Sequence, residues 1–431
     1  MAYKIYSSNI KFRTFLLLGF IITGIIEVLY SCNTESHWLR GNMHTHTFWS
    51  DGDDFPEIAT KWYKENGYDF LVLTDHNVIL EGDHWRRFSE NDPIVLKYIE
   101  ICGDDWVETR PDNEEGFQQV RLKPLKEFRS MYEDPDSFLL IMGNEISSSN
   151  SVHILTYHMD TIIPASRGNK DERSRMIGEV VARVDKYRLR TGLNIYPVLA
   201  HPNFTWAITA EMILDNPSLR FFEVYNGHPK VNNDGDDFRA STDRIWDIVL
   251  ANRLIKGGSE EVIYGLATDD THNYHGDDAG PGKGWVMVRS KKLTPESILN
   301  ALDKGDFYAS TGVSIRDIKI NHRAIKIEIE PQEGVKYLTE FIGTRKGFDP
   351  SNFPTLDSSG AEILNTSRTY SDQIGEVFAR SESTNPSYSF SGNELYVRIR
   401  IKSSADHKDP ITGKVLGKQR AWIQPIVQRK K

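Results

Sequence analysis

The chain of 431 residues is 39% hydrophobic and 26% charged, with a formal net charge of −9. That composition is ordinary for a globular protein, and the length suits one large domain with a smaller companion. The acidic balance and the lack of a basic stripe disfavour a nucleic-acid partner.

Lys4, Lys11 and Arg13 precede an apolar run at 15–26, too short to span a bilayer but of the right kind for the h-region of a signal peptide. The run leads into Leu29-Tyr30-Ser31-Cys32, which resembles the lipobox of bacterial lipoproteins, where the cysteine becomes the lipidated first residue. Residues 1–31 are therefore expected to be a signal peptide. The mature chain is expected to be exported to the bacterial cell envelope and tethered to a membrane through lipid on Cys32. Glu27 just after the run and the bulky Tyr30 leave simple secretion or an uncleaved anchor as alternatives. Losing residues 1–31 removes three cations and one anion, moving the charge from −9 to −11. Cys102 would then be the only other thiol, so no internal disulfide is expected.

Next comes Gly41-Asn42-Met43-His44-Thr45-His46, followed by Ser50-Asp51-Gly52. Histidines at i and i+2 of a strand point to one face, so His44 and His46 can grip one cation, although an HxH is also compatible with a solvated face. Pro56 opens a helix over 56–66, stopped by Gly67 before a strand at 70–74 and the triplet Asp75-His76-Asn77, which makes a βαβ unit. Residues 78–136 are rich in charge and aromatics and too long for a connecting loop, which reads as an insertion. Its Arg86, Arg87 and Arg110 are either phosphate contacts or solvated surface.

Apolar runs at 138–142, 196–199 and 262–267 each end in a chemically loaded cluster: Gly143-Asn144-Glu145-Ile146, Ala200-His201-Pro202, and Asp269-Asp270-Thr271-His272. His153 opens another apolar stretch, with His158 its nearby competitor. The run Phe222-Glu223-Val224-Tyr225-Asn226-Gly227-His228-Pro229 reads as a strand end on the same rim, offering Glu223, Asn226 and His228 as supporting or substrate-facing groups. Helices are expected at 173–190, 241–252 and 294–303, and their alternation with strands favours a largely parallel sheet. Sites in such folds collect at the carboxyl ends of strands. The DxH spacing selects Asp270 with His272, and Asp269 would face the other way, as a supporting or surface residue. His37, His84, His275, His322 and His407 have no motif context and read as ordinary exposed or partly buried residues.

The order HxH, SDG, TDH, Glu, His, AHP, DxH resembles that of the PHP (polymerase and histidinol phosphatase) family over about residues 38–315. The resemblance implies a distorted, TIM-like β/α barrel at 38–313 that binds two or three divalent metals and hydrolyses phosphoesters. Carried over by position, His44, His46, Glu145 and Asp270 would hold a first metal, Glu145 bridging to a second completed by His153 and His201. Asp51, His76 and His272 would form a third site. Asp75 and His228 stand as catalytic candidates, Asp75 alternatively as the cap of a turn. Nitrogen and oxygen donors without thiolate suit Zn, Mn or Fe, and coordination lowers the pKa of water to about 7.

The expected function is a metal-dependent phosphoesterase acting on a small phosphorylated substrate by a metal-activated water. The alternatives are a nuclease-type phosphodiesterase, and a lipid-anchored binding protein whose metal cluster is structural. From 314 the pattern turns to short alternating runs at 315–320, 324–330, 394–402 and 420–426, which reads as a β-sandwich-like accessory domain over 314–431. Oligomeric state is not encoded legibly.

Overall fold

The computed structural model describes residues 36–257, 262–276 and 278–428, so the signal-peptide segment and the lipid-accepting Cys32 lie outside the described residues. The chain divides into two compact units, Met1–His37 and Trp38–Lys431, and the second carries the fold and the site. No helix among the described residues is long and apolar enough to cross a membrane.

The frame is a mixed α/β arrangement around one thirteen-stranded sheet. In spatial order its first seven strands are Tyr264–Thr268, Phe221–Asn226, Val198–Leu199, Val152–Tyr157, Leu139–Ser148, Phe70–Leu73 and His37–Asn42. All seven contribute to one buried cluster, through Leu266, Phe221, Val198, Leu155, Ile141, Val72 and Leu39. Beyond the ends of the two outermost of these strands, Thr45 and Thr271 form a parallel bridge, with His46 N donating to Thr271 O and Asp270 N to His44 O. Chain segments at opposite ends of the seven-strand order are thereby hydrogen-bonded to each other.

The sheet is less parallel than helix–strand alternation implies. The strand carrying Glu145 and the next, carrying His153, are joined by a turn at Ser149–Ser151 and pair antiparallel, Glu145 opposite Leu155 and Ser147 opposite His153. A connection that short permits only antiparallel pairing, and Asn150 and Ser151 accomplish it with φ of 59° and 61°.

The helices fall where their caps put them. Pro56–Glu65 has Pro at its first turn, Arg173–Thr191 ends on Gly192 with φ 70°, and Ser241 and Thr294 cap Thr242–Leu254 and Pro295–Asp303 through Arg244 N and Ser297 N. Residues 78–136 carry the three-stranded sheet His84–Ser89, Phe117–Leu122 and Thr109–Pro111, with helices Pro93–Cys102 and Leu125–Tyr132. These pack on the loop after the HxH segment through Phe48, Trp49, Phe55, Phe88 and Tyr98.

The C-terminal part is rich in sheet, and its long strands Tyr337–Arg345, Glu394–Lys408 and Val415–Ile426 continue the main sheet, Val415–Ile426 pairing with Phe307–Ser310. A separate sheet, Ile315–Ile320, Ala324–Ile329 and Ser387–Ser389, covers them, burying Ile318, Ile325, Ile327, Phe341, Val397 and Ile399 in one cluster. Arg398, buried, ties this part to the Thr242–Leu254 helix by ion pairs to Asp243 and Asp247 at 2.8 and 2.5 Å.

Candidate metal centre

The strand His37–Asn42 stops before the HxH motif, but the chain stays extended through the Thr45 bridge, so His44 and His46 still face the same way. Glu145 lies midway along its strand. His201 follows Val198–Leu199 with φ 27°, and Asp270 follows Tyr264–Thr268 with φ 53°. Non-glycine residues held at positive φ cost energy that the surroundings must supply, and such strain concentrates where side chains are aimed for function.

These segments converge. Glu145 Oε2 sits 3.3 Å from Nε2 of both His44 and His46, and Asp270 Oδ1 sits 3.2 Å from the same two nitrogens. The other oxygen of Glu145 lies 2.9 Å from His153 Nδ1 and 3.2 Å from His201 Nε2. His76 Nδ1 reaches Glu145 Oε2 at 2.8 Å, and its Nε2 reaches Asp51 Oδ2 at 3.5 Å, while His272 Nε2 lies 3.4 Å from Asp51 Oδ1. Three overlapping groups have ligand-grade atoms close enough to share an ion: His44, His46 and Glu145; His76, Glu145 and His153; and His46, Asp51, His76 and His272. Every residue named as a ligand from sequence stands in this one cluster. His76 belongs to two of the groups rather than only the outermost, and His158, at 3.9 Å from Glu296, stands apart from it.

The donor atoms suit a cation. His44 Nδ1 is 2.7 Å from Glu223 Oε1, and His272 Nδ1 is 3.0 Å from the carbonyl of Asp270. Both partners accept, so each ring keeps a proton on Nδ1 and leaves Nε2, which faces carboxylate oxygens, as the nitrogen open to a cation. A lone pair facing a carboxylate at that range repels it unless positive charge lies between them. His44 Nε2, His46 Nε2 and His201 Nδ1 are buried with no hydrogen bond among the described residues, which is costly for polar atoms lacking another partner.

The electrostatics show that the crowded acids call for positive charge at the same place. Burial lowers the His44 and His201 pKa values, yet Asp270, Glu145 and Glu223 outweigh it and leave both raised. Burial likewise opposes the charged forms of Glu145 and Asp270, but the surrounding imidazoles hold both carboxyls well below their usual range. Asp51, with a side chain 56% exposed, marks the open side of the cluster.

A second layer holds these groups. Glu223 is fully buried and accepts from His44 Nδ1, from His201 N at 2.6 Å, from Thr268 Oγ1 at 2.6 Å and from Asn226 Nδ2 at 2.8 Å. Asn226 Nδ2 also reaches Asp270 Oδ2 at 3.1 Å, and its Oδ1 accepts from His228 N. Asp75 is buried, accepting from Thr47 N and Oγ1 and from Ser50 Oγ, and burial pushes its carboxyl up. Its carboxylate holds the Thr47–Ser50 loop and reaches toward the ligands through Ser50, whose hydroxyl is 3.4 Å from His46 Nδ1, while its carbonyl accepts from Glu145 N at 3.3 Å. Gly52 folds back under that loop so closely that a Cβ would lie 2.6 Å from Thr47 N.

Asp269 does face away from the cluster, but it is buried rather than at the surface. It accepts from the backbone of Gly282, Lys283 and Gly284 and from the Tyr63 hydroxyl. Of the basic candidates, Arg86 donates to the carbonyls of Phe48 and Ser50, behind the Asp51 loop, whereas Arg87 pairs with Glu114, and Arg110 stacks on Trp85 and bonds Gln119. His407 is buried, its ring packed against Tyr225 with centroids 5.7 Å apart. Two contributors carry no sequence signal: the Thr268 hydroxyl on Glu223, and the Ser147 hydroxyl on His76 Nδ1.

No protein-family model matches the chain, and no curated protein does. Among solved structures, it is similar to a two-domain protein from Bacteroides vulgatus containing a predicted PHP-like metal-dependent phosphoesterase. The two share 14% identity, with 91% of this chain and 95% of that one covered and a TM-score of 0.38. The functional reading therefore rests on the residues of this chain.

Proposed function

We propose that this protein is a metal-dependent phosphoesterase acting on a small phosphorylated substrate, with His44, His46, Asp51, His76, Glu145, His153, His201, Asp270 and His272 holding two or three ions of Zn, Mn or Fe. The observation that carries this reading is the meeting of His44 Nε2 and His46 Nε2, buried and without a hydrogen bond among the described residues, at the carboxylate oxygens of Glu145 and Asp270. The seven strands around the shared core, joined by the Thr45–Thr271 bridge, support reading 38–313 as a distorted barrel with the cluster at its rim.

When bound, divalent ions lower the pKa of water and offset charge developing on phosphoryl oxygens. The chain's own groups prepare the place for them. Glu223 keeps the His44 proton on Nδ1, and the Asp270 carbonyl keeps that of His272 on Nδ1, so both rings present Nε2. Glu145 offers one oxygen to each half of the cluster. Asp75, through Ser50, fixes the loop that brings Asp51 to the open side.

The test is to measure metal content of the purified protein and its turnover of an aryl phosphate and an aryl phosphodiester with added Mn, Fe or Zn, beside His44→Ala and Glu145→Ala. Metal-dependent turnover lost in both variants is expected; equal turnover in all three proteins refutes the reading. Export with a lipid on Cys32 is a separate proposal resting on residues 1–32, tested by incorporation of labelled lipid that Cys32→Ala abolishes.

A further inference from the structure

His228 stands beside the cluster, and unlike every candidate ligand histidine its ring pairs with no carboxylate among the described residues. Its ring lies edge-on to His272, centroids 5.4 Å apart at 75°, and against Phe204 at 5.5 Å. Two contacts fix it. Its backbone N donates to Asn226 Oδ1 at 2.8 Å, and Asn226 is the amide that spans Glu223 and Asp270. Its Nδ1 accepts from Lys230 N at 3.2 Å.

The second contact decides the tautomer. An Nδ1 that accepts a backbone N–H carries no proton, so the neutral ring bears its hydrogen on Nε2. Among the described residues nothing accepts from Nε2. A half-buried ring pinned at its backbone and at Nδ1, with a donor left over next to a candidate ligand, is arranged to give a hydrogen bond to something that enters the site. The candidate ligands are the opposite case, each turning a ring nitrogen toward a carboxylate oxygen, so His228 differs from them in chemical role.

Resting on the phosphoesterase reading, we infer that His228 binds substrate by donating Nε2–H to a non-bridging phosphoryl oxygen. It acts as a neutral positioning donor and not as a metal ligand. No bond is made or broken at His228, and its proton stays on Nε2.

The experiment uses the metal-loaded full chain with inorganic phosphate as probe, its Kd measured by calorimetry, for wild type, His228→Ala and His228→Gln, whose side-chain amide also offers an N–H. Bound metal and Tm are measured in parallel. A hydrogen bond to a charged oxygen predicts phosphate binding weakened about tenfold or more in the alanine variant, largely restored in the glutamine variant, with metal stoichiometry and Tm unchanged. Unchanged phosphate affinity in His228→Ala, loss of metal from it, a glutamine variant as weak as alanine, or no phosphate binding by wild type would each overturn the assignment. Aryl phosphate turnover by wild type reports separately on the phosphoesterase reading, so phosphate binding that depends on His228 without turnover refutes that reading alone.

Discussion

Glu223 Oε1 lies 2.7 Å from His44 Nδ1, and through that one contact a residue that faces no cation site decides which nitrogen His44 presents to it. Carboxylates in this position orient metal-binding imidazoles and raise their basicity. Glu223→Ala is expected to weaken metal binding by about 10–100-fold, read by competition with a chromophoric chelator. An unchanged affinity would mean that the His44 ring is held by its packing instead.

A site that gathers Glu145 and Asp270 among imidazoles in the interior gains from a bound cation that unfolded chain cannot hold equally well. Metal at a hundredfold excess over its Kd should add about 2.7 kcal/mol to the stability of the stripped protein, seen as a rise in Tm that a chelator reverses. Glu145→Gln should abolish most of that rise, because one amide replaces the carboxylate both halves of the cluster share.

Away from the site, Glu57 is fully buried beneath Tyr98 and Trp106, and its carboxyl is pushed up to about 7 by burial, which the hydrogen bonds from those two rings only partly offset. A raised folded-state pKa favours the neutral acid, so this contribution to stability is complete below the unfolded value of 4.5 and is lost as pH rises through about 7. The stability of wild type relative to Glu57→Gln should therefore fall by roughly 2–3 kcal/mol between pH 5 and pH 8, measured by urea unfolding at each pH. A flat difference would place Glu57 in contact with water.

Arg398 is buried with both Asp243 and Asp247, and Tyr396 Oη also donates to Asp247 Oδ1. Removing the cation leaves two carboxylates short of compensation, so Arg398→Met should cost on the order of 3–5 kcal/mol. The protein that remains folded should bind metal as wild type does, since the network lies on the helix side of the sheet. A small loss in denaturant unfolding would show that water reaches the aspartates.

Much of the cluster was legible because His44, His46, His76, His201 and Asp270 sit just beyond strand ends and the spacings restrict choice, although Glu145 and His153 lie within strands. DxH separated Asp270 from Asp269, and the opening of an apolar stretch separated His153 from His158. What escaped was set by contacts across the fold. The Thr268 and Ser147 hydroxyls have roles only because Glu223 and His76, far away in sequence, arrive beside them on neighbouring strands. Asp75 adjoins His76 in sequence, yet its side chain points to the Thr47–Ser50 loop, since successive residues leaving a strand diverge. The antiparallel return carrying His153 was hidden because a three-residue turn of Ser and Asn gives little signal beside the long apolar runs that flank it. Likewise, periodicity marks 415–426 as a strand but not its partner, which packing alone selects.

That partner matters for how the molecule holds together. Phe307–Ser310 receives Val415–Ile426 along its open side, and Gln424 clasps the backbone of Gly265, on a strand leading to Asp270, from both N–H and carbonyl. Cutting the chain at 313 would strip those bonds and bare a row of unsatisfied amides, a template for aggregation. The carboxy-terminal part thus behaves as a built-in edge protector, and the histidine–carboxylate cluster and this appendage should melt in a single cooperative transition.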